Sequence, residues 1–511
     1  MNQYDQDSKK KVRELMLGSA ITSLTSRDSG LINQDELRIT FDFFLKLIGS
    51  YELHGLAHEE LNEWMDFNKD STVSRKPGNL KVLYLCGPLP TNDLQVLLSH
   101  GINIHNIWAI TGSEDSAAAH KQISELNIPL KIHEGSLAEF FETYNEIFDL
   151  IYFDACGPFI GGSPSTLTPL LEILKRQRLS PKSALITNFS SPPEFGEANK
   201  RYIQLATAYF HPRNMDPPDI VKKSTLDPEM YAIDARILEK FIDNNLTEIY
   251  SDFVTELTID LASVLTPALQ AYSMPSFLKK HASSQMVIRK LINHQTNIDL
   301  NEDELPGAMR MSPSSFPIFS FLDKLENYNR DDQLLCALKS HNKRGVSYKD
   351  LISIYELTSS VFNGSWEVLS PDFLKAIKCK WFDYKSRITC DRPLPNLLVN
   401  SIVGTYGRPY FYNPRQSIRV KYIAKTREMY CDLFMFDQCR SFFDWFPTVQ
   451  ACPSRFQSIP FQIVARCLID RLNWANFYST SNPFKGGAIG GMGQTPVAFP
   501  LEIPKRTIVN D

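Results

Sequence analysis

The chain has 511 residues, a length that suggests roughly two to four domains and excludes a single small module. Hydrophobic residues make up 43% and charged residues 22%, which excludes an intrinsically disordered chain. Basic and acidic residues number 54 and 58, so the net charge of −4 excludes a protein that coats nucleic acid with a uniformly cationic surface.

Nine cysteines are spread through the chain without a C-x-x-C pair. This odd, dilute set predicts neither a disulfide framework nor a zinc ribbon, so we expect reduced thiols, a cytoplasmic location and no bound metal. The N-terminal sequence lacks the pattern of a signal peptide, and no apolar run reaches the roughly 18 residues of a membrane span. We therefore expect no membrane association.

Residues 1–68 are predicted to form an N-terminal helical region, because apolar residues recur there at spacings of three and four. The polar stretch 68–79 has no apolar period and predicts a linker. A second domain is therefore expected to begin near residue 80.

Strand-like apolar runs alternate with helical segments over residues 80–210. The runs lie at 81–86, 106–111, 130–135, 148–154 and 183–189, with helical segments at 92–100, 115–126, 136–145 and 165–178. Short apolar strands joined by amphipathic helices require a parallel sheet covered on both faces. We therefore predict an α/β fold with a doubly wound, mostly parallel sheet.

The remaining sequence predicts two further regions. Residues 211–304 are mostly helical and form either an insertion or lid on the sheet domain or a separate domain. Residues 305–511 mix helical segments with aromatic, strand-like stretches and predict a mixed α+β C-terminal domain. No internal repeat is evident in the chain.

The loops that follow the strands are the candidate ligand site, because an open parallel sheet binds ligands beyond the carboxyl ends of its strands. The first loop contains Gly87, which lets the backbone turn closely, and Thr91 or Asn92 is the expected cap of the next helix. A single glycine here disfavours a dinucleotide-binding fingerprint.

The spacing of these loops over residues 80–190 resembles the class I methyltransferases, which use S-adenosylmethionine. The resemblance implies a Rossmann-like, methyltransferase-like domain with degenerate cofactor motifs. It also implies that the methionine part of the cofactor lies against Cys86, Gly87 and Pro88, with Asn92 and Asp93 nearby.

The second loop departs from that family at the position of the ribose. Its strand ends in Thr111 where the family has an acid, and one hydroxyl cannot accept two ribose hydrogen bonds as a carboxylate can. Glu114 and Asp115 reach the ribose if the loop bends back; alternatively, Ser113 and Asp115 cap the next helix, which we favour. In the third loop, Ser136 matches the family's adenine contact and is equally a plain helix cap.

The fourth loop, FDLIYFDACGPFIGGSP, follows the strand at 148–154 and carries the strongest signal. Asp154 ends this buried strand, where the fold places a group that orients a nucleophile or takes its proton; the alternative is a loop cap. The resemblance implies substrate contacts by Gly157, Pro158 and Phe159, although DACGPF lacks the adjacent prolines of amino-methylating members.

Three residues around this loop have separate predictions. Cys156 is either a thiolate nucleophile or a small packing residue, and the lack of a histidine partner favours packing. Asn188 follows the fifth strand and is expected in a polar loop that meets the substrate. Asp149 begins the fourth strand and is expected at the opposite edge of the sheet.

The segment 406–427 is the most basic part of the chain and interleaves its cations with aromatic residues. Aromatic planes beside cations suit single-stranded nucleic acid, with Arg415, Arg419 and Lys421 as candidate contacts. The commoner alternative is a β-hairpin with its aromatic residues in the core and its charges in solvent. The stretch 431–447 is the expected packing partner of such a hairpin.

The sequence therefore leaves two functions open. The first is an S-adenosylmethionine-dependent methyltransferase that acts on a nucleic-acid or other polar acceptor, with Asp154 orienting that acceptor. The second is a catalytically inactive module of the same fold that binds protein partners. The missing ribose acid favours the second, whereas DACGPF at the strand end favours the first, our working hypothesis.

Overall fold

A computed structural model describes eleven parts of the chain. They are residues 7–26, 75–160, 166–210, 235–267, 321, 389–390, 409–414, 416–424, 426–438, 489–490 and 503–510. Within them, helices cover both faces of one large, mostly parallel sheet. The predicted α/β fold is therefore confirmed.

Eight helices lie in the described part of the chain. They are α1 (Asp7–Thr25), α2 (Thr91–Ser99), α3 (Ser113–Glu125), α4 (Leu137–Thr143), α5 (Leu167–Lys175), α6 (Glu197–Phe210), α7 (Ala235–Asn244) and α8 (Leu246–Asp260). A π-helical turn, Leu261–Leu265, continues α8. None of these helices is both long and apolar enough to cross a membrane.

Eleven strands lie in the same part of the chain. They are β1 (Val82–Leu85), β2 (Ile107–Thr111), β3 (Lys131–Glu134), β4 (Phe148–Pro158), β5 (Leu179–Ser190), β6 (Thr389–Cys390), β7 (Phe411–Tyr412), β8 (Ile418–Ala424), β9 (Arg427–Asp437), β10 (Ile489–Gly490) and β11 (Thr507–Val509). Strands β6 and β10 form a separate two-stranded sheet. The other nine belong to the main sheet.

The main sheet has the order β3-β2-β1-β4-β5-β9-β8-β11, and β7 pairs with β9 beside this path. Strands β1 to β5 are mutually parallel where they pair, whereas β9 is antiparallel to β5, β7 and β8. The carboxyl ends of β1 to β5 therefore meet at one side of the sheet, which we call the carboxyl edge.

The central strands β1, β4 and β5 are rich in apolar residues because both of their faces are buried. Leu83 and Leu185 pack into the core on one face, and the adjacent residues Val82, Tyr84 and Ile186 pack into the core on the other. Burying an aliphatic side chain of this kind contributes roughly 1.5–3 kcal/mol. This two-sided burial fixes the register of the sheet, and with it the residues at the carboxyl edge.

Each face of the sheet has its own helical layer. Helix α1 packs Met16, Leu17 and Ala20 into the same core as residues of α2, and the buried faces of α4 to α8 form the opposite core. Helix α8 is part of that layer, since Phe253 and Leu257 are fully buried in it. The described helices of 211–304 thus pack on the sheet rather than standing apart from it.

Strands β8 and β9 come from the range that the sequence assigns to a C-terminal domain, yet they extend the main sheet. Strand β9 pairs with β5 from Lys182↔Asp437 to Ser190↔Met429. Strand β11, near the end of the chain, adds a parallel strand beside β8. The division into four domains remains a prediction, but these strands share the sheet of residues 80–210.

Two predicted helix caps are wrong. Helix α2 begins at Thr91, and Pro90 occupies the cap position without a side-chain hydrogen bond, so neither Thr91 nor Asn92 caps it. Helix α3 begins at Ser113 after Gly112, again without a side-chain cap. In both cases the helix begins earlier than predicted, which moves the proposed capping residues into the first turn.

Candidate functional site

Asp154 lies at the carboxyl edge, where it pairs in register with Asn188 of β5. Its side chain is 10% exposed and accepts contacts from three donors. Lys9 Nζ lies 3.0 Å from Oδ2, Asn188 Nδ2 donates to Oδ1 at 2.8 Å, and Cys156 Sγ donates to Oδ1 at 3.0 Å. Residues of α1, β4 and β5 thus surround one carboxylate.

These contacts set the charge of Asp154. Burial alone would raise its pKa, but the Lys9 charge and the hydrogen bonds from Cys156, Lys9 and Asn188 together hold the pKa below its ordinary value. Asp154 is therefore an anion at neutral pH. Such a carboxylate is a strong hydrogen-bond acceptor but a weak base, so the contacts fit the orienting role predicted for it and not proton abstraction.

Cys156 is neither of the two things that the sequence predicts. The residue is exposed and has a φ of 54°, so it does not pack in a core. Loss of solvation around the thiol and the neighbouring Asp154 carboxylate raise the pKa of Cys156 to about 12, which keeps it a neutral thiol. Its sulfur is a hydrogen-bond donor to Asp154 rather than a nucleophile.

A second buried ion pair lies beside the first. Arg13, one helical turn after Lys9 on α1, places Nε 2.5 Å from Oδ1 of Asp93 in the first turn of α2. Burial raises the pKa of Asp93 to about 6, even though Arg13 acts in the opposite direction. One face of α1 therefore supplies cations to both buried acids, Asp93 and Asp154.

Sequence reasoning missed Lys9 and Arg13, and it placed Asp93 only near the cofactor. The basic residues around Lys9 and Arg13 were considered only in testing for a signal peptide, which the sequence does not predict, although a spacing of four places both residues on one helical face. That spacing identifies a cationic face, but not the acids that it contacts. The burial of Asp93 and its pair with Arg13 were not predicted, because an acid in the first turn of a helix is ordinary.

The loops after β1 and β2 lie next to each other. A Cβ atom built on Gly87 would be 3.7 Å from Oδ2 of Asp115, so this carboxylate faces the first loop. Asp115 is half-buried. Thr111 is 1% exposed, and its hydroxyl donates to the carbonyl oxygen of Gly112 at 3.3 Å. The acid next to the first loop is therefore Asp115, four residues after the strand end.

The other predicted cofactor residues have different environments. Cys86 is buried, and burial together with Asp93 raises its pKa to about 12, so its thiol is neutral. Pro88 and Asn92 are half-buried, and Glu114 is exposed.

Ser136 is the N-cap of α4, as its alternative interpretation predicts. Its hydroxyl accepts a hydrogen bond from the backbone N–H of Glu139 at 3.2 Å. The carboxylate of Glu139 in turn accepts from the backbone N–H of Ser136 at 2.7 Å, which completes a capping box. This pair of hydrogen bonds accounts for a serine at this position without a ligand.

The predicted substrate residues after Asp154 do not stay together. Gly157 and Pro158 are half-buried at the end of β4, after a register shift that begins at Asp154. Phe159 is fully buried, with its ring in an edge contact with Phe189 at 5.0 Å between centroids. The prediction that Phe159 contacts substrate is therefore corrected, because its ring belongs to the core.

Asn188 is also placed differently from its prediction. It lies within β5 and is fully buried, rather than in a loop that meets the substrate. Its Nδ2 donates to Asp154 and to the Tyr422 hydroxyl at 2.9 Å, and its Oδ1 has no hydrogen-bond partner among the described residues. Asn188 thus orients the Asp154 carboxylate from the neighbouring strand β5. Asp149, as predicted, lies at the opposite edge, where its Oδ2 accepts from the backbone N–H of Lys81 at 2.8 Å.

The basic segment 406–427 contributes strand β8 to the sheet. Strand β8 forms a hairpin with β9, with pairs from Ile418↔Leu433 to Ala424↔Arg427. The hairpin is therefore not contained in the segment, and Cys431 to Asp437 of the expected packing partner belong to its second strand. Tyr410, Tyr412 and Tyr422 are at most 1% exposed. These three rings belong to the core and do not present faces on which a base can stack.

The cations of this segment are partly inside the protein. Arg419 is 5% exposed, and its Nη2 lies 2.6 Å from Oδ1 of Asp252, so its predicted role in binding an external phosphate does not fit its burial. Lys421 is half-buried, with Nζ 2.6 Å from Oε1 of Glu428. Arg415 lies outside the described residues. The expected burial of aromatic residues is correct for Tyr410, Tyr412 and Tyr422, whereas Arg419 is a buried charge and not one in solvent.

No metal centre is formed by the residues that the structure describes, since no three histidine, cysteine or acidic side chains come together there in a suitable way. Cys86, Cys156 and Cys431 are free thiols. Two acids at the carboxyl edge, Asp93 and Asp154, are instead paired with cations of α1.

Comparisons with known proteins give only distant matches. No protein-family model and no curated sequence matches the chain. Three solved structures align with part of it. The PH0226 protein of Pyrococcus horikoshii is 18% identical over 26% of this chain and 58% of its own, with a TM-score of 0.18. N,N-8-amino-8-demethyl-D-riboflavin dimethyltransferase of Streptomyces davawensis is 17% identical over 28% of this chain and 45% of its own, with a TM-score of 0.18, and PKMT2 of Rickettsia typhi in complex with AdoHcy is 16% identical over 42% and 37%, with a TM-score of 0.20. The chain thus spans about half the length of the first two.

The class of the fold follows from the sheet itself. Five parallel strands joined by helices on both faces, with their loops gathered at one edge, form a class I methyltransferase-like domain. The described part of the chain therefore has a class I methyltransferase-like α/β fold, with α1 on one face of the sheet and strands β8, β9 and β11 at one side of it.

Proposed function

We propose that this protein binds S-adenosylmethionine at the carboxyl edge and transfers its methyl group to a polar acceptor oriented by Asp154. The observation that carries the proposal is the position of Asp154 where the regular pairing of β4 with β5 ends, at which it is an anion held by Lys9 and Asn188. S-adenosylmethionine is itself a reactive methyl donor, so the protein's contribution is mainly to position the two reactants.

The cofactor is expected to lie across the loops after β1 and β2. Gly87 permits close approach of a ligand to the backbone, and Asp115 places a carboxylate within 3.7 Å of the Cβ position of Gly87. A carboxylate accepts two hydrogen bonds from neighbouring hydroxyls, which is what a ribose requires. Asp115 thus takes the place of the acid that Thr111 cannot supply.

Replacing Asp115 with alanine is expected to weaken the binding of S-adenosylmethionine about tenfold or more, because charged hydrogen bonds contribute roughly 1.5–3 kcal/mol each. Isothermal titration calorimetry with S-adenosylmethionine and with S-adenosylhomocysteine measures both affinities. Glu125→Ala is the matched control, because Glu125 lies at the other end of α3 and pairs with Lys121 at 3.8 Å. Equal affinities of the Asp115 variant and the wild type contradict this placement of the ribose.

A catalytically inactive binding module is the second candidate. It is favoured by the two cations of α1, which neutralise both buried acids of the edge within the protein. The calorimetric titration separates the two functions, since a protein that gives no heat with millimolar S-adenosylmethionine or S-adenosylhomocysteine is a binding module. Saturable heat with both ligands favours the methyltransferase.

A nucleic-acid acceptor is no longer favoured by the segment 406–427. Its aromatic residues Tyr410, Tyr412 and Tyr422 are buried, and Arg419 is paired with Asp252. The acceptor is therefore proposed only as a polar molecule whose donor group meets Asp154. Protein partners and a cytoplasmic location remain part of the proposal on the sequence alone.

A further inference from the structure

Helix α1 is the only described element that brings a positive charge into contact with Asp154. Lys9 Nζ lies 3.0 Å from Oδ2 of Asp154 and 3.7 Å from Sγ of Cys156. The Lys9 side chain is 17% exposed, so the contact is largely shielded from solvent. An ion pair in such surroundings is screened much less than one on the surface.

The titratable groups that face Asp154 come from five elements. They are Lys9 and Arg13 of α1, Asp93 of α2, Tyr152 and Cys156 of β4, Tyr422 of β8 and Cys431 of β9. Arg13 is engaged with Asp93 at 2.5 Å. Burial raises the pKa of the surrounding tyrosines and cysteines, so they are neutral at pH 7. Lys9 is therefore the cation that compensates the charge of Asp154.

We propose that Lys9 is a positioning residue of the methyl-transfer site, which holds Asp154 as an anion so that Asp154 accepts a hydrogen bond from the group to be methylated. The proposal rests on the proposed function, because it assigns Lys9 a role in that reaction. Lys9 acts through Asp154 and is not itself required to touch either reactant.

The geometry favours this role over a purely structural one. A helix needs no lysine to dock on an apolar sheet face, and α1 already buries Met16, Leu17 and Ala20 there. Lys9 instead sits at the end of α1 where Asp154 emerges, together with two neutral donors to the same carboxylate, Asn188 and Cys156. Without the Lys9 charge, the burial of Asp154 would favour its protonated form, which is a donor rather than an acceptor.

The test measures the pKa of Asp154 in the full chain. The titration is monitored by carbon NMR, with aspartate labelled at its side-chain carboxyl carbon. The Asp154→Asn spectrum identifies the signal. We expect Asp154 to titrate below the ordinary aspartate range in the wild type and at least about one pH unit higher in Lys9→Met. Lys9→Arg, which keeps the charge, is expected to restore most of the wild-type titration.

Lys10→Met is the matched control, because Lys10 is the next residue of α1 and is exposed. It is expected to leave the titration of Asp154 unchanged. A wild-type Asp154 that titrates at or above the ordinary range overturns the proposal, as does an equal effect of Lys9→Met and Lys10→Met. If Lys9→Met fails to fold, the wild-type titration and the Lys9→Arg variant still decide the outcome.

The calorimetric titration with S-adenosylmethionine keeps the two proposals apart. If the wild type binds S-adenosylmethionine but the pKa of Asp154 does not change in Lys9→Met, the proposed function is retained and the role of Lys9 is rejected. If the pKa of Asp154 changes but no heat of binding is measured, the methyltransferase function is rejected, and the contact between Lys9 and Asp154 has no role in catalysis.

Discussion

Replacing Asp432 with asparagine is expected to lower the free energy of unfolding by about 3–5 kcal/mol. Asp432 is 1% exposed and lies within β9, where both of its oxygens accept from Arg506, Oδ1 from Nη1 at 2.5 Å and Oδ2 from Nη2 at 3.1 Å. Asparagine keeps the shape but leaves the Arg506 guanidinium, which is 9% exposed, without its counter-charge. Urea unfolding followed by circular dichroism measures the change.

The matched control is an ion pair at the surface. Glu197 and Lys200 of α6 lie 3.0 Å apart, with side chains 90% and 69% exposed. Glu197→Gln is expected to change the free energy of unfolding by less than about 0.5 kcal/mol, because solvent screens such a pair. A loss of less than 1 kcal/mol in Asp432→Asn would contradict the view that this buried pair stabilises the fold.

The Asp432 pair matters for the site because it joins elements that are far apart in the sequence. Arg506 comes from the segment that forms β11, and its guanidinium also donates to the carbonyl oxygen of Val420 in β8 and to the Thr255 hydroxyl in α8. Strand β9 lies beside β5, which carries Asn188. The C-terminal residues therefore support the side of the sheet from which Asp154 is held.

The central part of the sheet was predictable from the sequence, and the reason is local. Each of β1 to β5 overlaps one of the apolar runs in the sequence, and the helices between them supply the crossover that parallel pairing needs. The partner of β5 on its outer side was not predictable in this way. Strand β9 begins at Arg427, 237 residues after β5 ends at Ser190, and no local pattern encodes a pairing over that distance.

The candidate site was likewise predictable only where the signal is local. Asp154 was identified because it ends an apolar run, and the end of a parallel strand is a known position for a functional group. Lys9 was not, since its contact with Asp154 depends on how α1 docks across 145 residues of sequence. A charged residue on a helix reveals its partner only when the helix has a place in the fold.

The two buried acids of the carboxyl edge are expected to give pH dependences of opposite sign. The pKa of Asp93 is raised to about 6 from an ordinary value of 3.8, so the folded protein binds this proton more tightly than the unfolded chain does. Its contribution to stability is therefore present below pH 3.8 and lost as the pH rises through 6. The difference between these values corresponds to roughly 3 kcal/mol.

Asp154 behaves in the opposite way, because its pKa is lowered in the folded protein. Its contribution is present above the ordinary aspartate value and lost as the pH falls through its folded value. Urea unfolding of the wild type, Asp93→Asn and Asp154→Asn at several pH values separates the two. The advantage of the wild type over Asp93→Asn is expected to shrink from pH 4 to pH 7, whereas its advantage over Asp154→Asn grows as the pH rises through the acid range. The two carboxylates lie on the same edge and differ in their cation contacts. If both differences in the free energy of unfolding changed with pH in the same direction, α1 would not distinguish the two acids. Lys9 and Arg13 would then not have separate roles.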